Sequence, residues 1–183
     1  MRKQEYINLH LGAGKRNIPG FINVDLSNYK HIHFKRNVSN LKNFKTNSVD
    51  YIYASHVLEY FDYNEAYKVL KEWKRVLKPN GILRISIPDF NSLLKVYRKT
   101  KNIDKIIGPL YGKMKQKKNT IYHKCVYDHA KIKKILRIVG FKSIKKFDWK
   151  KIWHSNYDDH SKAYFPHMNK KGILISLNIS AKK

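Results

Sequence analysis

The 183-residue sequence has little cysteine, few acidic residues and no long apolar run. Its single cysteine, Cys125, excludes an internal disulfide framework and a zinc site built from several cysteines. Apolar runs such as residues 172–177 are far shorter than the roughly 20 residues that a membrane-spanning helix needs. The first residues show no apolar signal region with a small-residue cleavage site, so we expect a cytoplasmic protein.

Acidic residues are scarcest in the second half of the chain. The whole sequence has 39 Lys and Arg against 13 Asp and Glu; residues 1–90 carry a net charge of +7 and residues 91–183 a net charge of +19. A field of this size attracts polyanions, such as nucleic acid, an anionic lipid surface or a phosphorylated sugar carrier. The alternative interpretation is compositional, because scattered lysines also serve simply to solvate a surface.

The remaining composition predicts one packed α/β domain. Apolar residues make up 42% of the chain and aromatic residues 13%, and the length suits a single core. Apolar and β-branched runs predict strands over residues 6–11, 21–26, 49–54, 81–87, 141–147 and 173–181. Helical spacing predicts helices over residues 62–77, 89–99 and 128–139, the first starting at a capping box of Asp62 and Glu65.

Strands that alternate with helices predict a parallel, doubly wound sheet covered on both faces. The last two predicted strands are joined by a segment without room for a crossover helix, so they should form an antiparallel pair. Ligands bind such sheets beyond the carboxyl ends of the strands. Four polar clusters follow predicted strands at this edge: residues 12–14, Asp25, residues 55–59 and residues 88–90.

A glycine turn is followed by a carboxylate one strand later. Gly12 and Gly14 allow a ligand to approach the backbone amides closely, and Asp25 can accept both hydroxyls of a ribose. A dinucleotide site would need a third glycine and a helix N-terminus for the pyrophosphate, and residues 15–20 are too short and broken for that helix. The pattern favours a ribose-bearing ligand without a pyrophosphate; a plain turn is the structural alternative.

These residues resemble a known family. The segments LHLGAG (residues 9–14) and PGFINVD (residues 19–25) resemble the opening of class I S-adenosylmethionine-dependent methyltransferases. Further blocks resemble a small type 11 group that often accompanies surface-polysaccharide genes; they are residues 48–60, 77–83, 157–163 and 175–178. The resemblance covers most of the chain. It implies a single domain, residues 1–183, with a Rossmann-like, doubly wound, mostly parallel seven-stranded sheet and one antiparallel strand near the C-terminus.

The resemblance also implies S-adenosylmethionine as the cofactor, bound by the half formed by residues 1–90, with residues 91–183 facing the acceptor. Gly12 and Gly14 would cradle its methionine part, Asp25 would hold the ribose, and the segment at Asn37 would recognise adenine. The full set of expected cofactor residues is Leu11, Gly12, Ala13, Gly14, Asp25, Leu26, Asn37, Val38 and Ser55.

Methyl transfer mainly requires alignment, because the sulfonium of the cofactor is already electrophilic. A hydroxyl acceptor has a high pKa and benefits from a general base. His56 is the first candidate for that base, with His123, Asp158 and Asp159 as rivals. A histidine near a strand end is also a common structural residue, and the acidic pair could cap a turn. The nine histidines show no metal-ligand spacing, so no metal is expected.

Three hypotheses for the function remain open. The first is O-methylation of a sugar hydroxyl in a glycan or a glycan precursor, including a phosphate-bearing one. The second is a nucleic-acid (RNA) methyltransferase, suggested by the lysine-rich residues 113–118 and 131–137 with aromatic neighbours. Against it, residues 54–57 lack the Asp/Asn-Pro-Pro-aromatic tetrad of base-amino methyltransferases. The third is a non-catalytic basic binding module, which the intact glycine turn and Asp25 argue against.

Overall fold

The computed structural model describes residues 6–116, 119–157, 159–167 and 169–183. The strands are β1 Asn8–Leu11, β2 Ile22–Asp25, β3 Phe34–Lys35, β4 Val49–Ser55, β5 Leu77–Pro88, β6 Met114–Gln116, β7 Asn119–Ile121, β8 Lys142–Lys146, β9 Tyr164–Phe165, β10 Ile173–Leu174 and β11 Ser176–Lys182. The helices are α1 Tyr63–Val76, α2 Phe90–Thr100, α3 Asp104–Tyr111 and α4 His129–Val139. Short 3₁₀ turns occur at Leu58–Tyr60, Trp149–Lys151 and His160–Lys162.

Seven strands form one sheet in the order β3-β2-β1-β4-β5-β11-β8. Every pair is parallel except those made by β11, which runs antiparallel to both β5 and β8. This confirms the predicted α/β, Rossmann-like, mostly parallel seven-stranded sheet with one antiparallel strand near the C-terminus. The strand order reverses between β1 and β4, and in open α/β sheets such a switch point opens the crevice that binds ligands.

One face of the sheet is apolar because alternate residues of each strand point to it. Leu9 and Leu11 of β1 and Ile52 of β4 belong to this face and are fully buried. Helices α1 and α4 cover it with their own buried residues, and together they form the main hydrophobic core. Helix α1 begins at the predicted capping box, in which Asp62 and Glu65 each accept a hydrogen bond from the other's backbone amide.

The opposite face of the sheet is polar. Strand register places the following side chains on it: His10, Asn23, Tyr51, Tyr53, Ser55, Arg84, Ser86 and Asn178. The segment 149–157 and 159–163, which we call the covering segment, packs on this face through contacts such as Tyr53 with Asp159 and Tyr51 with His154. Helices cover one face of the sheet, as predicted, whereas a largely irregular segment covers the other.

Some elements differ from the sequence prediction. The predicted strand over residues 173–181 is divided between β10 and β11, because β10 turns away to pair with β9. Helix α3 and the β6–β7 hairpin were not predicted; α3 contains Gly108 and Pro109, and the hairpin strands have three residues each. Helices α2 and α3 pack on each other and on β9 and β10 in a separate small core. Within the described ranges, no helix is long and apolar enough to cross a bilayer.

Candidate functional site

The turn after β1 is held tightly against the end of β4. Gly12 has a φ of +68°, and its amide donates to the carbonyl of Val24 at 2.8 Å. A Cβ atom at position 12 would overlap Cγ2 of Val57. Leu11 and Ala13, on either side of this glycine, are buried in the same region. The need for glycine at position 12 therefore comes from packing within the protein.

Gly14 differs from Gly12 because the space in front of it is empty. Its φ is +54°, and a Cβ atom there would meet no other atom within 4 Å. Its amide donates to Oδ2 of Asp25 at 3.0 Å, and the amide of Ser27 donates to Oδ1 at 2.7 Å. Each carboxylate oxygen keeps a further lone pair. The half-exposed Asp25 can therefore accept ribose hydroxyls at the edge of this space.

A histidine that the sequence did not single out anchors this turn. Nε2 of His31 lies 2.9 Å from the carbonyl of Gly14. Because a carbonyl can only accept, His31 carries its proton on Nε2 in this contact. Its ring is stacked on Tyr29, with the ring centroids 5.7 Å apart. These contacts link the glycine turn to the segment after β2, beside Leu26 and Asp25.

The segment expected to recognise adenine is anchored to the hydrophobic core. Strand β3 pairs with the end of β2, which brings Asn37 to the same edge as Asp25. Nε1 of Trp73 in α1 donates a hydrogen bond to the carbonyl of the buried Val38 at 2.9 Å. Asn37 is exposed, and its Oδ1 accepts from the amide of Ser39 at 2.9 Å. The second lone pair of that oxygen stays available to a donor such as an amino group.

Two hydroxyls at this edge are buried without a partner. Oγ of Ser55, at the end of β4, has no hydrogen bond with a described residue, and the same holds for Oγ of Ser27 beyond β2. Buried polar atoms in proteins are normally paired, so an unpaired hydroxyl at a strand end favours a polar ligand there. The empty space at Gly14 and these two hydroxyls fit the expected position of a nucleoside-bearing cofactor.

His56 is the residue after β4 and adopts a left-handed backbone with a φ of +56°. Both of its ring nitrogens are already in contact with protein groups. Nε2 lies 2.8 Å from Oγ of Ser176, and Nδ1 lies 3.2 Å from Oε1 of Glu59. The structure thus places the first candidate base at the predicted strand end, but between two partners of its own.

His123 lies close to His56, as the other candidate histidine. Its Nε2 is 3.8 Å from the same Oε1 of Glu59, and its Nδ1 is 3.3 Å from the carbonyl of Leu110. Burial lowers the pKa of His123, and the nearby Glu59 charge opposes this effect only in part. His56, Glu59 and His123 therefore form one row, which we call the His–Glu–His row.

A cavity of about 580 Å³ lies at the His123 end of this row. Its wall includes Tyr63, Phe90, Tyr111, His123, Lys124 and Lys131. The ammonium of Lys131 lies 4.1 Å from the centroid of the Tyr63 ring, and that of Lys124 bonds to Glu65 at 2.9 Å. Aromatic faces beside ammonium groups suit a ligand that combines a ring with a negative charge.

Asp159, the described member of the acidic pair, makes its contacts away from the residues that line this cavity. Asp159 is buried in the covering segment, where Oδ2 accepts from the Tyr53 phenol at 2.6 Å and Oδ1 from the Ser161 amide at 2.6 Å. These bonds give Asp159 a structural position under the polar face of the sheet. Asp158 lies outside the described residues, so its predicted role stays a prediction, and the same applies to Lys117 and Lys118 of the basic run.

Sequence reasoning missed Glu59 and Ser176, although both lie inside segments that carried the family resemblance. Glu59 follows His56 at a spacing of three, which the 3₁₀ turn Leu58–Tyr60 converts into proximity. Ser176 comes from β11 and could not be placed without knowledge of the sheet order. In the described part of the chain, no group of three or more His, Cys, Asp and Glu side chains is arranged to hold a metal ion.

Comparison with known protein families matches part of the first half of the chain. Residues 19–85 match the protein family described as "Methyltransferase domain". This match contains Asp25, the segment at Asn37 and the end of β4. A comparison with curated protein sequences finds no significant match.

Solved structures share the whole fold. A SAM-dependent methyltransferase from Thermotoga maritima is 20% identical, with a TM-score of 0.61 over 100% of this chain and 84% of that chain. One from Methanosarcina mazei is 18% identical, with a TM-score of 0.60 over 99% and 94%. A Burkholderia thailandensis 1,6-didemethyltoxoflavin-N1-methyltransferase with bound S-adenosylhomocysteine is 13% identical, with a TM-score of 0.56 over 97% and 70%. The chain therefore has the fold of SAM-dependent methyltransferases, and its residues 19–85 match a family described as a methyltransferase domain.

Proposed function

We propose that the chain is a SAM-dependent methyltransferase whose cofactor lies across the carboxyl ends of β1, β2 and β4. The observation that carries the proposal is the turn at Gly14, which faces empty space and is hydrogen-bonded to the carboxylate of Asp25. The cofactor, when bound, supplies an electrophilic methyl group on a sulfonium. The protein's own contribution is to bind, orient and accept a proton.

All of the residues that we propose bind the cofactor lie within residues 1–90. The turn is formed by residues 11–14. The strand end proposed to face the ribose contains Asp25 and Leu26, and the segment proposed to face adenine contains Asn37 and Val38. Ser55 offers an unpaired hydroxyl near the methionine part. Because α1 and the sheet hold all of these segments, the site is prearranged before the cofactor arrives.

We assign the acceptor to the cavity beside His123, which is lined mainly by residues of the second half of the chain. Its aromatic and ammonium groups favour a sugar hydroxyl in a glycan or glycan precursor that carries a negative charge, such as a phosphate. The sugar ring would lie on aromatic faces while its anionic part meets Lys131. His56 and His123 are the candidate bases that lie near this cavity, whereas both oxygens of Asp159 are engaged elsewhere.

Isothermal titration calorimetry with S-adenosylmethionine and with S-adenosylhomocysteine tests the cofactor proposal. We expect both compounds to bind the wild type, and Asp25→Ala to abolish binding. Asp104→Ala, an exposed change in the first turn of α3, is the matched control and should bind as the wild type does. No binding by the wild type at millimolar concentration would instead favour a non-catalytic basic module.

Transfer of a radiolabelled methyl group tests the acceptor. We expect incorporation into charged oligosaccharides or nucleotide-linked sugars. A nucleic-acid acceptor is the second candidate, favoured by the exposed Tyr111 and Tyr122, which precede and follow the lysine-rich residues 113–118 in the sequence. That alternative predicts labelling of RNA and binding that weakens steeply as salt rises, because lysine–phosphate contacts release counterions.

A further inference from the structure

Glu59 is a buried carboxylate that lies between two histidines. Its side chain is 0% exposed, and neither carboxylate oxygen has a well-directed hydrogen bond with a described residue. Its ion-pair contacts within 4.0 Å, among the described residues, are His56 and His123. An isolated buried charge would be strongly unfavourable, so the His–Glu–His row is expected to be neutral as a whole. Two neutral imidazoles and an ionised carboxylate together carry a charge of −1, so a neutral row needs one additional proton.

Hydrogen-bond directions place that proton at the His56 end. Oγ of Ser176 is 2.5 Å from the carbonyl of His160, which can only accept, so the hydroxyl donates there. The same oxygen must then accept from Nε2 of His56 at 2.8 Å. If a neutral His56 carries its single proton on Nε2, its Nδ1 has no proton. A lone pair of Nδ1 would then face Oε1 of Glu59 at 3.2 Å. The extra proton therefore lies at the contact between His56 and Glu59.

One ring nitrogen of His123 has no hydrogen bond with any residue that the structure describes. Its Nδ1 donates to the carbonyl of Leu110, and its Nε2 is too far from Glu59 for a hydrogen bond, at 3.8 Å. A Cβ atom at position 112 would overlap the imidazole ring of His123, so glycine at this position lets the backbone pack directly against that ring. This histidine is also the member of the row that lines the acceptor cavity.

Other groups around the row do not supply the missing proton. The Tyr60 ring lies 4.7 Å from His123, and burial, helped by the Glu59 charge, raises the pKa of Tyr60 to about 12. Burial likewise raises the pKa values of Tyr127 and Cys125. The centroid of the His160 ring lies 5.1 Å from that of the His56 ring. The phenols and the thiol thus stay protonated, and the imidazoles remain as the basic groups.

We propose that His123 is the general base of the proposed methyl transfer and that Glu59 and His56 are positioning residues that share one proton behind it. The inference rests on the proposed function. When the acceptor oxygen takes the methyl group, the bond from that group to the sulfonium sulfur would break, the acceptor O–H bond would break, and the proton would move to Nε2 of His123. The imidazolium formed faces the Glu59 side of the row. His123 would then carry the positive charge that the sulfonium had carried before transfer, so the total charge of the site would be unchanged.

Nitrogen NMR of histidine-labelled protein tests this arrangement without cofactor or acceptor. At neutral pH we expect His123 as the neutral Nδ1–H form, and His56 either as imidazolium or as the Nε2–H form beside a protonated Glu59, which infrared spectroscopy detects. In Glu59→Gln the amide can donate to His56, so the extra proton should vanish. His56→Gln and His123→Gln assign the signals, and exposed His167 is the internal reference. An imidazolium or Nε2–H form of His123 in the wild type would overturn the proposal.

Diethyl pyrocarbonate, which attacks imidazole nitrogens that have no proton, provides a second test. Peptide mapping should show modification of His123 before His56. In the incorporation assay, His123→Gln should lower turnover by about 100-fold or more, while cofactor affinity stays unchanged. Preferential modification of His56, or full activity of His123→Gln, would overturn the base assignment. The calorimetric test of the cofactor site is independent of both outcomes.

Discussion

Tyr53 and Asp159, 106 positions apart in the sequence, are joined by a hydrogen bond of 2.6 Å between phenol and carboxylate. The bond ties the covering segment to the centre of the polar sheet face. Burial, together with the Asp159 charge, raises the pKa of Tyr53 well above its usual range, so the phenol stays a donor. The acidic residue that the sequence suggested as a base thus has a structural contact of its own.

Removing the phenol should destabilise the protein. Tyr53→Phe leaves one oxygen of the buried Asp159 without its donor, which should cost about 1–3 kcal/mol in the free energy of unfolding. Tyr67→Phe is the matched control, because the half-buried Tyr67 phenol has no hydrogen bond with a described residue. Urea unfolding of both variants measures the difference. Equal stability of the two variants would show that the Tyr53 bond does not hold the covering segment.

The polar face should also make the protein sensitive to acid. Burial lowers the pKa of His10 from 6.5 to about 4, and burial lowers that of His154 to about 4 as well. The unfolded chain binds these protons near its ordinary pKa, so stability is complete above pH 6.5 and falls as the pH decreases toward 4. Each histidine should contribute a slope of about 1.4 kcal/mol per pH unit in that window at most.

Urea unfolding between neutral pH and pH 4.5 measures this slope. His10→Gln and His154→Gln should each show a shallower loss of stability than the wild type, because each removes one titrating group. His167→Gln changes an exposed histidine and should leave the slope unchanged. A wild-type stability that is constant across the window would contradict the expected protonation.

The segment at Asn37, which we propose faces adenine, should depend on Trp73, which is fully buried in α1. Trp73→Phe removes the donor to the Val38 carbonyl and leaves a cavity, which should cost about 2–4 kcal/mol of stability. Cofactor affinity should fall as well, because the backbone next to Asn37 loses its anchor. Trp153→Phe, at an exposed ring stacked on Phe21, is the control and should leave affinity unchanged. Urea unfolding and calorimetry report the two effects separately.

The clustering of the candidate cofactor residues at one edge of the sheet was predictable, because these residues are close in sequence to strand ends. The turn at residues 12–14, Asp25 and Ser55 each follow an apolar run, and parallel strands bring their carboxyl ends together. The capping box of α1 was predictable for the same reason, since it depends only on residues three positions apart.

The His–Glu–His row and the covering segment were not predictable in this way. His56 meets Ser176 only because β11 lies beside β5, and His123 meets Glu59 only after α2, α3 and the β6–β7 hairpin have folded back. Such contacts depend on tertiary packing between residues that no local period relates. The role of Asp159 was hidden for the same reason, since its partner is on the central strand β4.

Alanine substitutions at the two glycines of the turn should affect the stability of the protein and its cofactor affinity to different extents. Gly12→Ala forces a methyl group into Val57 in addition to the left-handed strain, so it should cost about 2–4 kcal/mol in the free energy of unfolding. Gly14→Ala carries only the strain, about 1–2 kcal/mol, but its methyl group enters the space proposed for the cofactor. Calorimetry should therefore show a larger loss of cofactor affinity for Gly14→Ala than its modest loss of stability explains. Wild-type affinity in a folded Gly14→Ala variant would place the cofactor elsewhere.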